Sequence, residues 1–232
     1  MIRRFALVLL FISVAMLAAG GDIAMFENLG FSGDARVFLF GQYGIDAENG
    51  MPYAELYAVD VSSNSYVSGG ALVTDGLLGT GDAAPLSLGQ DGRGALFHLI
   101  GEAQELIERH NVDHLSNGRP IYILVDGEEP KERIAFRDFN TDTRYALVLH
   151  QEQRNADGSV EASFHIELTV TYEDDRSRTV TVGRPGYFRS DIAQYRITQV
   201  LLSPDEDSIV TVVEKQSADG SVRYMVETTR ID

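Results

Sequence analysis

The chain has 232 residues, 44% hydrophobic and 23% charged, with no cysteine and a formal net charge of −16 from 35 acidic and 19 basic side chains. This composition belongs to a globular protein rather than a disordered one. The lack of cysteine excludes disulfides, thiolate metal centres, a cysteine nucleophile and a lipid-modified N-terminal cysteine. The acidic balance repels nucleic-acid phosphates and anionic headgroups, so neither is expected as a partner.

Met1-Ile2-Arg3-Arg4 places two cations ahead of an uncharged apolar run from Phe5 to Ala19, which closes on Gly20-Gly21. A basic start, an apolar middle and a small-residue exit predict a signal peptide over residues 1–20. The run is shorter than the roughly 20 apolar residues of a membrane span. The mature protein is then residues 21–232, secreted or periplasmic, with no membrane insertion after cleavage. Losing Arg3 and Arg4 takes the net charge from −16 to −18.

Ala35 to Gly41 is a nearly continuous apolar run, suited to a strand buried on both faces. Gln42 to Pro52 reads as a polar loop, Tyr53 to Val61 as a second strand, Ser62 to Ser65 as a turn, and Tyr66-Val67 as a short third strand. Residues 69–94, rich in Gly, Asp and Ala, read as a surface loop or linker. Leu96, Leu99, Ile100, Ala103, Leu106 and Ile107 recur at helical spacing and predict one amphipathic helix over 95–109, packed on a sheet. From Arg119 onward the pattern is β again. Its clearest strand alternates Phe164, Ile166, Leu168, Val170 and Tyr172 with polar residues, which puts one face in a core. The fold class expected is mainly β: antiparallel sheets, blade-like or sandwich-like, with one amphipathic α-helix and no complete propeller. Residues 21–232 form a single domain or two β subdomains joined by the 69–94 loop and the helix.

The two ends of the mature chain share a layout. Phe31-Ser32-Gly33-Asp34 and Leu202-Ser203-Pro204-Asp205 each open a strand, and a second strand follows at Leu56 to Asp60 and at Tyr224 to Glu227. The Ser and Asp oxygens can accept the backbone N–H groups of such a turn. These segments resemble blades of the TolB-type β-propeller, and they are expected to lie side by side. A broader resemblance rests on Asn28 to Ser32, Phe40 to Gly44, Tyr53-Ala54-Glu55, Val59-Asp60-Val61 with Asn64, Phe136 to Asn140, and Tyr224 to Thr228. Through them the chain resembles a bacterial family of predicted secreted proteins of unknown function. That resemblance implies export and carries no catalytic residue with it.

No nucleophile elbow and no phosphate-binding glycine loop occurs. His110 and His114 stand four apart, but at the end of the predicted helix rather than along it. His150 and His165 are weak metal candidates: a four-residue turn at 155–158 makes them diagonal neighbours on one sheet face. A solvated strand face is the preferred reading, so no metal and no cofactor is expected. Asp138 to Asp142 copies the first half of a calcium loop but lacks its glycine and its terminal glutamate, and an Asx-type turn is preferred. Arg137-Asp138, between Phe136 and Phe139, and Gln42-Tyr43, between glycines, place aromatic and polar groups at loop tips, where recognition residues gather. For Arg137 and Asp138 a buried pair fixing a strand end is the preferred reading. The function expected is that of a non-catalytic exported protein that binds a protein, peptide or glycan partner in the cell envelope through Gln42, Tyr43, Arg137 and Asp138. The alternatives are an exported hydrolase using paired carboxylates and an outer-membrane-associated structural protein.

Overall fold

A computed structural model describes residues 21–74, 91–125, 127–156 and 158–231. The predicted signal peptide and residues 75–90 of the predicted loop lie outside them. The first sheet contains β1 (Met25–Ser32), β2 (Val37–Ile45), β3 (Pro52–Asp60), β4 (Ser65–Val73) and β5 (Val112–Asp113), in the order β4-β3-β2-β1-β5. Two helical segments, α1 (Arg93–Glu102) and α2 (Gln104–Arg109), precede β5. The second sheet contains β7 (Arg133–Arg137), β8 (Arg144–Ala156), β9 (Ser159–Thr171) and β10 (Ser177–Gly183), in the order β10-β9-β8-β7, with β11 (Arg189–Ser190) also on β9. The third contains β6 (Arg119–Ile123), β12 (Ile192–Leu202), β13 (Ser208–Ser217) and β14 (Val222–Arg230), in the order β14-β13-β12-β6. Pairing within each sheet is antiparallel, and no barrel or propeller closes among the described residues.

The apolar pattern stacks these elements in layers. On β2, Leu39 and Tyr43 face the helices together with Leu96 and Leu99, while Phe38 and Phe40 face Leu201, Val210 and Val212 of the third sheet. On β13, Val210 and Val212 face the first sheet, while Ile209 and Val213 face Leu147, Phe164 and Ile166 of the second. The order is therefore helices, first sheet, third sheet, second sheet. Successive side chains of a strand point to opposite faces, so a strand between two layers needs apolar residues at both parities. That is why Ala35 to Gly41 reads as a nearly continuous apolar run, and why Ile209 to Val213 is apolar but for Thr211. Each large side chain buried in this way contributes about 1.5–3 kcal/mol.

The first and last segments pack side by side and repeat one turn. Ser32 Oγ donates to Asp34 Oδ1 (2.7 Å) and accepts from Val37 N (2.9 Å). Ser203 Oγ donates to Asp205 Oδ1 (2.5 Å) and accepts from Ser208 N (3.0 Å). Ala35 and Glu206 occupy the same left-handed position, with φ of 57° and 63°. Gly118 sits where the two units meet: a Cβ there would lie 2.4 Å from Leu202 O and 2.9 Å from the Phe31 ring.

Several expected boundaries move. β2 runs on to Ile45, so Gln42 and Tyr43 are strand residues rather than loop residues. β4 extends to Val73 through Gly69 and Gly70, because pairing with β3 supplies what local propensity lacks. The predicted single helix is interrupted at Ala103, and both segments bury their apolar face on the first sheet. β8 and β9 stay paired up to Ala156 and Ser159, so residues 157 and 158 alone connect them and the expected register shifts by two.

Candidate functional site

The residues expected to bind a partner fall at separate places. Gln42 is 1% exposed and points at the third sheet. Its Nε2 donates to Glu55 Oε2 (2.5 Å) and to Tyr224 O (3.3 Å), and its Oε1 accepts from Tyr224 N (2.6 Å). The amide thus pairs with one residue of β14 as a neighbouring strand would. Asn64 repeats the device further along, where its Oδ1 accepts from Thr228 N (2.9 Å). Tyr43 faces the opposite layer, and its hydroxyl accepts from Nε (2.9 Å) and Nη2 (2.8 Å) of Arg93 at the start of α1.

Asp138 is buried and pairs with Arg119 of β6, not with Arg137. Arg119 donates from Nη1 (3.1 Å) and Nη2 (2.7 Å) to its two oxygens and also reaches Glu206 (2.8 Å). Arg119 is the largest of the influences that hold the Asp138 carboxyl below its ordinary value. Asn140 N donates to Asp138 Oδ1 (3.0 Å), the Asx-type turn expected. Arg137 is exposed and pairs with Asp142. The structure therefore joins none of the four into one site: even the chain neighbours in each pair turn to different partners.

His150 and His165 stand directly opposite each other, with ring centroids 4.7 Å apart and planes 10° from parallel. The two-residue connection corrects the diagonal placement to a facing one. No group of three or more metal-ligating side chains occurs among the described residues.

A different place gathers chemistry. A cavity of about 530 Å³ lies along β14 where all three sheets meet. The turn between β3 and β4 brings Asn64, the start of β4 brings Tyr66, the connection between β10 and β11 brings Arg184 and Tyr187, and β11 itself brings Arg189. Lys215 of β13 and Glu227 of β14 complete its polar lining. Elsewhere the arginines are mostly spent on carboxylates, as Arg119, Arg196 and Arg223 are. Arg184, Arg189 and Lys215 make no ion pair among the described residues. Arg189 instead lies over the rings of Tyr187 (4.9 Å) and Phe164 (5.5 Å). Such contacts hold a guanidinium in place without neutralising it.

Glu227 is the one carboxylate among the described lining residues. Burial pushes its carboxyl above the ordinary value, against the opposing hydrogen bond from Asn64 Nδ2. Burial likewise pushes the Lys215 ammonium down. Tyr66 and Tyr187 are 55% and 51% exposed, and Tyr66 is propped on Tyr57 at 5.2 Å. The arrangement is a half-open basin with surplus positive charge, one buried acid and two aromatic side chains.

None of these residues stood out in the sequence as a binding residue, although Asn64 and Glu227 lie in segments that carry the family resemblance. The criterion applied to Gln42-Tyr43 and Arg137-Asp138, aromatic and cationic side chains at a loop tip, fits Arg184-Pro185-Gly186-Tyr187-Phe188-Arg189 better. Lys215 and Glu227 had no such signal, since each stands inside a regular strand.

A family model described as "Predicted secreted protein (DUF2259)" matches residues 39–230. The chain belongs to this family. Its description agrees with the export read from residues 1–20, and it assigns no activity. No match was found among curated proteins or among solved structures. No helix among the described residues is long and apolar enough to cross a membrane. Segments that carried the family resemblance meet at the β14 edge: Gln42 from Phe40–Gly44, Glu55 from Tyr53–Glu55, Asn64, and Tyr224–Thr228.

Proposed function

We propose that this secreted protein is a non-catalytic binder in the cell envelope that engages a protein, peptide or glycan partner through the cavity along β14. One observation supports this above all: in an acidic chain, Arg184, Arg189 and Lys215 converge on one basin and stay unpaired among the described residues. Burial pushes the Lys215 ammonium down, and a buried cation without an ion-pair partner is costly. An anionic group on a partner removes that cost, and half-exposed tyrosines beside it add contact area at little entropic expense. Gln42 and Asp138 serve this reading as parts of the frame.

The test is retention of envelope material on immobilised mature protein, with Arg184→Glu as the control. Arg184 is exposed, so its replacement leaves the core intact. The expected result is a retained component that salt elutes and the variant fails to hold. Equal retention by both proteins would overturn the assignment to this cavity.

A further inference from the structure

We infer that the cavity along β14 takes a carboxylated sugar, an acidic saccharide that presents a carboxylate and ring hydroxyls together. The inference rests on the cavity being the binding site, as proposed above, and narrows its ligand class. Two features of the lining must be answered by one ligand. The first is cationic: Arg184 and Arg189 on the second sheet's side and Lys215 beneath, none spent on a carboxylate among the described residues. A guanidinium fork suits a carboxylate oxygen pair, which it can bind through two parallel hydrogen bonds.

The second feature is the opposite in kind. Glu227 and Asn64, from β14 and the β3–β4 turn, add a buried acid and an amide to the same cavity. Sulfate has no proton to donate to a carboxylate and is repelled by it; hydrogen phosphate has one, but it brings a second negative charge that Glu227 repels and no apolar ring face for the tyrosines. A sugar acid places its anion at the cations and a hydroxyl donor at Glu227, which Asn64 already orients. A free ammonium, as on an amino acid, would answer Glu227 but meets Lys215 and two guanidinium groups in the same space.

Tyr66 and Tyr187 give the third reason. Tyr66 is supported from behind by Tyr57, and Arg184 and Arg189 lie over Tyr187 at 5.9 and 4.9 Å. Both tyrosines still leave half their surface to solvent. Aromatic side chains held in place beside hydrogen-bonding groups match the alternating apolar and polar surfaces of a pyranose. The cavity volume, about 530 Å³, lies in the range of small-ligand sites, about 300–1,000 Å³.

The experiment is calorimetric titration of the mature protein with galacturonate and its short oligomers, against galactose, acetate and inorganic phosphate. The expected order is galacturonate tighter than galactose, acetate and phosphate by about tenfold or more, the worth of one well-made charged hydrogen bond. Arg184→Ala should weaken galacturonate by about tenfold with an unchanged melting temperature, and Tyr66→Ala should weaken it by a smaller factor. No binding of the acidic sugars, binding indifferent to Arg184→Ala, or phosphate or acetate binding as tightly as galacturonate would each overturn the inference. If the sugars fail while Arg184→Glu still abolishes retention of envelope material, the saccharide falls and the cavity stands. If Arg184→Glu retains that material, the cavity assignment falls first.

Discussion

Two sets of cations in this molecule live under opposite conditions. Arg119 donates to both oxygens of Asp138 and to Glu206, so one guanidinium serves two carboxylates and ties β6 to the ends of β7 and β12. Along β14 the ratio reverses: Arg184, Arg189 and Lys215 share a cavity with Glu227 alone among the described lining residues. The first arrangement satisfies its charges internally and holds layers together. The second leaves charge over, and the surplus has to be met from outside the chain.

The contrast can be broken from either side. Asp138→Ala should do the most damage, about 3 kcal/mol of unfolding free energy, because it leaves Arg119 half-paired and removes the turn cap at Asn140. Urea denaturation reads it, and ligand binding at β14 should be unchanged. Gln42→Ala should cost about 2 kcal/mol by orphaning the backbone N–H and C=O of Tyr224. A loss under about 0.5 kcal/mol would mean that water replaces the amide freely.

The pH dependence should separate the two regions next. Arg119 holds the Asp138 carboxyl low, so its contribution is complete above the ordinary carboxylate value of 3.8 and disappears as pH falls through the lowered one. Glu227 works the other way. Burial raises its carboxyl, partly offset by Asn64, Arg189 and Arg184, so stability falls as pH rises from 4.5 through the raised value. Denaturation midpoints measured against pH should show both slopes, and Glu227→Gln should abolish only the upper one. The smallest effect belongs to Arg137→Ala, under about 1 kcal/mol, since its pair with Asp142 is exposed.

Much of the frame could be read from residue alternation. Phe164, Ile166, Leu168 and Val170 are buried on one face as their spacing required, and the shared Ser-x-Asp layout marked two units that do pack together. What could not be read depends on partners distant in the chain. Gln42 looked like a loop residue because a polar side chain inside a strand makes sense only once β14 lies beside it. The part of β4 beyond Val67 lacked strand character because β3 pairs with it at Ser65 and Tyr66 and again from Ala71 to Val73, across an irregularity that takes in its glycines. The register of His150 and His165 turned on whether the hairpin closes over two residues or four. The cavity draws on residues near 64, 187, 215 and 227, so no local window contains it.

The side-chain amides lining the outer row of β14 have a consequence for life outside the cell. Gln42 and Asn64 occupy donors and acceptors that a bare edge strand would offer to any extended segment, and the Ile23–Val222 bridge occupies the row's first position. With that row occupied, β14 is a poor template for filament growth, a protection built from two amides rather than from charge.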